Sequence, residues 1–241
     1  MPLPKLNVPV YEAILPSTES VIKYRPFLVK EEKILLTALE DETGAALPKA
    51  VKQIINNCVQ GKLDVERLPT FDIEYLFLRL RAKSVGEKVT IGLKPYPCPE
   101  NDEDDICKNS TEVEINLEEV KVVKDKNHTN KIMLDDKIGV LMDYPDASIL
   151  QGLKGDAFDV GMALIRSGIK MIFTEEETHE RDSFTDKELD EFIDSLNSEQ
   201  FQKVKGFYDT MPVLKHTVKY KCSTCGEEKE TTLSGMNSFF G

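Results

Sequence analysis

Through the first 29 residues apolar and polar positions alternate, and Pro2, Pro4, Pro9, Pro16 and Pro26 rule out a long helix. Val8–Leu15 and Ser20–Phe27 read as the two arms of a hairpin, with Pro16-Ser17-Thr18 near its turn. The period then stretches to the helical one. Lys30–Glu40 puts Ile34, Leu35, Ala38 and Leu39 on one face. Pro48 suits the first turn of a second helix, 48–60, whose apolar side holds Val51, Ile54, Ile55, Cys58 and Val59. Thr70 is placed to cap a third helix, 71–84, carrying Ile73, Leu76, Phe77 and Leu80.

Alternation returns at Glu87–Lys94 and Thr111–Leu117, two strands on either side of a loop rich in proline and acid. Lys131–Asp135 and Ile138–Tyr144 are short extended runs. Residues 146–172 read as an apolar helical region, although Gly152, Gly155, Gly161 and Gly168 interrupt it. Thr185-Asp186-Lys187-Glu188 is a capping box for a helix through Leu196. A further helix spans 198–210 and stops at Pro212. Leu214–Lys221 is a strand, and Glu228–Leu233 is its return partner. Three helices with short connections suggest a compact bundle. The predicted class is therefore α+β: mostly a helical bundle, with a small antiparallel zinc-ribbon-like β module. Its parts are an extended arm and helical region over 1–86, a β-rich segment over 87–145, a helical region over 146–212, and a C-terminal β knuckle over 213–241 that packs with 87–117.

Charge narrows the functional classes. The chain of 241 residues has 31 Lys and Arg against 43 Asp and Glu, a formal net charge of −12. A surface built for nucleic-acid phosphates carries the opposite balance, so no nucleic-acid partner is expected. Residues 99–119 hold nine acids against one lysine, and residues 173–199 hold eleven acids against two bases. The only basic strip is Lys215, Lys219 and Lys221. No apolar run approaches the roughly 20 residues of a membrane span, and the start lacks a secretory signal. A cytosolic, reducing site of synthesis is the expectation. No phosphate loop, dinucleotide fingerprint, nucleophile elbow or His-Glu-x-x-His arrangement is present, so neither an enzyme nor a small-molecule substrate is expected.

The cysteines carry the chemistry. Cys222 and Cys225 form Cys-x-x-Cys followed by Gly226 between two strands, the layout of a zinc knuckle. Cys98 and Cys107 bracket the other interstrand loop. Together the four thiolates fit one tetrahedral, structural Zn²⁺ per chain, and a closed four-thiolate shell leaves no open position for catalysis. Reduced, unmetallated thiols or a disulfide are the alternatives, the disulfide disfavoured in a reducing compartment. Cys58 lies on an apolar helix face and reads as a core residue. His216 is a reserve ligand on a strand's apolar face, while His128 and His179 sit in polar, loop-like contexts. Asp102–Asp105 lacks the interleaved spacing of a calcium loop.

The stretch Ile22-Lys23-Tyr24-Arg25-Pro26-Phe27-Leu28-Val29-Lys30-Glu31-Glu32-Lys33-Ile34-Leu35-Leu36 resembles the N-terminal signature of the T4-like bacteriophage baseplate hub subunit family. The opening Leu3-Pro4-Lys5-Leu6-Asn7, the knuckle Cys222-Ser223-Thr224-Cys225-Gly226 and the closing Phe239-Phe240 are similar to the same proteins. The resemblance implies a non-enzymatic subunit of the central hub of a contractile tail. Its partners are then other hub or tape-measure proteins, in the host cytoplasm during assembly and in the virion baseplate. A transient assembly chaperone, absent from the virion, is the alternative, and a zinc-ribbon nucleic-acid adaptor is a third reading. Tyr24, Arg25, Phe27, Phe239 and Phe240 are the candidate partner-binding residues. The aromatic ones either pack on this chain's own core or anchor in another subunit.

Overall fold

The computed structural model describes residues 6–41, 46–93, 111–146, 149, 156–223 and 226–239. Strands β1 (Tyr11–Ile14) and β2 (Val21–Tyr24) form the first hairpin, with Ile14 opposite Val21 and Tyr11 opposite Tyr24. Helices α1 (Val29–Leu39) and α2 (Ala46–Cys58) follow, and β3 (Val59–Gln60) returns to pair with β2. Next come α3 (Thr70–Ser84), β4 (Lys88–Leu93), β5 (Thr111–Asn116) and β6 (Lys121–Val123). Then follow β7 (Lys131–Met133), β8 (Gly139–Met142), α4 (Ala157–Gly168), β9 (Ile169–Phe173) and β10 (Thr178–Glu180). The last elements are α5 (Asp186–Asp194), α6 (Ser198–Asp209), β11 (Val213–Lys221), β12 (Glu228–Ser234) and a 3-10 turn, Met236–Phe239.

The expected helical bundle with a small zinc-ribbon-like module is corrected by this arrangement. Of the described residues 41% are helical and 29% are in strands, which form four antiparallel sheets. The sheets run β1-β2-β3, β10-β9-β8-β7, β12-β11-β6 and β4-β5. Helices α1 and α2 pack on each other, but α3 turns its apolar face to strands. Leu78 and Ala82 of α3 pack on Val89, Ile91, Leu93, Ile115 and Leu117 of the β4–β5 region. The hairpins meant for a separate module are thus half of a larger α/β core. Among the described residues no group of three His, Cys, Asp or Glu side chains is placed to hold a metal.

The chain divides into two compact units. The first comprises 1–65, 71–123 and 213–241, and the second comprises 66–70 and 124–212. In the first, Leu214 and Val218 of β11 and Phe239 join the α3 and β4–β5 core. In the second, β7, β8 and β9 contribute Ile132, Val140, Met142 and Ile169, which pack on Ile165 of α4, Leu189 and Ile193 of α5, and Val204 and Phe207 of α6. The sequence is explicit where helices start: Thr185 with Glu188 and Asn197 with Gln200 both close capping boxes. The helical reading of 146–172 is corrected at its end, because Ile169–Phe173 is a strand between β8 and β10. The Thr70 cap is not made either. Thr70 begins α3, and its buried hydroxyl has no hydrogen-bond partner.

Candidate functional site

The β11–β12 hairpin brings the knuckle turn together. The last cross-strand pair is Lys221 opposite Glu228. Beyond it the Cys222 amide donates to the Glu227 carbonyl, and the Gly226 amide donates to the Cys222 carbonyl, both at 2.9 Å. Gly226 takes φ +72°, a left-handed conformation that favours glycine and lets the chain double back. Cys222 is buried. Cys98, Cys107 and Cys225 lie outside the described residues.

The residues that flank the Cys98–Cys107 loop are described, and they meet this turn. Leu93 and Thr111 form the last pair of the β4–β5 ladder, so the loop leaves and re-enters at one point. Thr111 is buried, and its hydroxyl accepts the Ser223 amide at 3.1 Å and donates to the Ser223 hydroxyl at 3.2 Å. A residue four positions beyond Cys107 thus touches the residue next to Cys222, across 112 positions of sequence.

Tyr24 and Phe27 are buried in the first unit, and burial raises the Tyr24 phenol above its ordinary range. The Arg25 guanidinium donates to the Glu31 carboxylate at 3.0 Å and to the Asn57 and Pro26 carbonyls at 2.9 Å. Glu31, which has no exposed side-chain surface, also accepts the Leu28 amide at 2.9 Å. Burial pushes its carboxyl up, but Arg25, the Leu28 amide and Lys30 outweigh that and hold it below the usual range. The string Lys-Tyr-Arg-Pro-Phe-Leu-Val-Lys-Glu-Glu therefore describes a junction, with Arg25 and Glu31 locking β2 onto the start of α1. Phe239 is fully buried among Leu117, Leu214 and Val218, and Phe240 lies outside the described residues.

The remaining candidates are occupied by packing. Cys58 is fully buried, and desolvation pushes its thiol up to about 11, so it is protonated at neutral pH. Lys219 and Lys221 lie 3.5 Å from Glu230 and Glu228 across the β11–β12 ladder, which neutralises most of the basic strip.

His128 differs from its sequence context, for it is buried. Its Nδ1 lies 2.9 Å from the Thr210 hydroxyl and its Nε2 lies 3.0 Å from the Tyr144 hydroxyl, with Phe207 packed on the ring. The Thr210 hydroxyl donates to the Gly206 carbonyl, so it accepts from Nδ1–H, and Nε2 accepts from Tyr144. Burial lowers the imidazole below its ordinary value. The partners arrive from 16 and 82 residues away, and no local signal announces them.

The described signature residues Tyr24, Phe27, Glu31 and Phe239 are thus turned inward. The chain belongs to the T4 bacteriophage base plate protein family, which it matches over residues 8–241. No curated protein and no solved structure matches it. Membership gives the chain a structural or assembly role in the phage baseplate. No helix among the described residues is long and apolar enough to cross a membrane.

Proposed function

We propose that this chain is a non-enzymatic subunit of the central hub of a contractile-tail baseplate, acting through contacts with other hub or tape-measure proteins. The family match, which spans all but the first seven residues, carries this reading. Counting the protein in purified virions by quantitative mass spectrometry tests it. A fixed number of copies per tail is expected. Presence in assembly intermediates with absence from finished particles would overturn the hub-subunit reading in favour of a transient chaperone.

A structural Zn²⁺ held by Cys98, Cys107, Cys222 and Cys225 belongs to the same proposal. Its support is the Thr111–Ser223 contact, which draws the flanks of both cysteine pairs together. The ion would add a staple to two hairpins already joined by the Thr111–Ser223 hydrogen bonds and the core behind them. Elemental analysis of protein purified without chelator is expected to find about one zinc per chain, as a four-thiolate site requires. Cys225→Ser should lose the metal and lower the melting temperature. Metal-free protein of full stability would sink the zinc assignment and leave the hub reading standing.

A further inference from the structure

Among the described residues, eight of the twelve large hydrophobic side chains that stand open to solvent fall between Leu6 and Leu39. Most lie on two successive elements. On the β1–β2 hairpin Ile14 and Val21 face each other across the strands, each 57% exposed. On α1 the exposed Val29 and Leu36 share the side opposite the buried Ala38, and Leu39 is exposed at the helix end. Exposed apolar residues scattered singly are ordinary, whereas a concentration of them marks an interaction surface.

Charge indicates what covers this surface. The first forty residues hold five bases, Lys5, Lys23, Arg25, Lys30 and Lys33, against five acids, so the net charge of −12 belongs entirely to the rest of the chain. Two copies repel through any average face, and they meet at least cost through the segment that carries no net charge. That segment is also self-complementary. On the open face of the hairpin Glu12 lies opposite Lys23, 3.5 Å apart, beside the Ile14–Val21 pair. A two-fold axis there sets the acid of one copy toward the base of the other, as an isologous contact requires. A basic partner would be drawn instead to the acidic residues 173–199.

We propose that the open faces of the β1–β2 hairpin and α1 are where a second copy of this chain docks, giving a two-fold dimer. This goes beyond the hub assignment and does not depend on it. Light scattering coupled to size exclusion, with sedimentation velocity, tests it on the full chain. A concentration-dependent mass approaching twice 27.3 kDa is expected. Two double variants then locate the interface: Ile14→Thr with Val21→Thr, which keeps strand propensity, and Val29→Glu with Leu36→Glu, which puts an acid at a helix start. Circular dichroism should show both folded, and at least one should weaken association by about tenfold or more, the scale of losing apolar anchors. A monomer up to about 100 µM, beyond the micromolar end of such interfaces, overturns the proposal. So does a dimer that both folded variants retain, since another surface would then hold it.

Discussion

Arg25 and Glu31 show how far a residue's role can sit from its sequence context. In sequence, Glu31 is one of two acids favouring a helix start; in the structure it is a buried charge held by Arg25, Lys30 and a backbone amide. Arg25→Met should therefore destabilise the first unit by about 1–3 kcal/mol at neutral pH, since the carboxylate loses its guanidinium but keeps Lys30 and the Leu28 amide. The pH dependence has a definite sign. In the native chain the Glu31 carboxyl is held low, so its contribution is present above the ordinary carboxylate range and is lost as pH falls through the folded value. In the variant, burial acts with its strongest opponent gone, so the deficit relative to wild type should shrink on acidification. Chemical denaturation at pH 7 and pH 4.5 measures both. His128 has the same lesson in the second unit. Its lowered value means that the unfolded chain binds more protons below about pH 6.5, so stability should fall as pH drops through that range. His128→Gln should melt lower at pH 7 and lose part of that pH dependence. The His128 network was not legible beforehand, because Tyr144 and Thr210 come from 16 and 82 residues away; Arg25 and Glu31 are only six apart, but no local pattern marks the carboxylate as buried.

At the scale of elements, local signals read well and tertiary ones poorly. The Thr185–Glu188 capping box and the long alternation of β11 are properties of neighbouring residues, and they carry straight from sequence to structure. Residues 169–172 continue an apolar run and so read as helix, yet Gly168 ends α4 and the following residues pair on both sides. The glycines of that run have separate reasons. A methyl at Gly161 meets open space, while one at Gly168 runs into the Tyr208 hydroxyl, which is donating to the Leu164 carbonyl at 2.6 Å. Gly168→Ala should cost about 1–3 kcal/mol by overpacking, and Gly161→Ala should be neutral or slightly stabilising. Thermal melts of the two variants side by side check this. Thr185→Ala, which removes a cap, should cost about 1 kcal/mol in the same assay.

For the whole molecule, the bundle expectation failed because helix periodicity reports an apolar face and says nothing of what that face meets. α3 meets strands, and those strands come from residues 88–117 and 213–218. The two units keep separate cores, so Gly168→Ala should speed amide hydrogen exchange in β8 and β9 while leaving β4 and β5 unchanged. The pairing of Val123 in β6 with Val213 in β11 also orders events in time. All of Lys124–Pro212 must leave the ribosome before β6 acquires its neighbour, an interval on the order of ten seconds at ordinary elongation rates. At the end of that interval the second unit has all of its own strands and helices, while the first still lacks Leu214, Val218 and Phe239. The second unit is thus free to mature first, and the first completes its own core only as the final hairpin emerges.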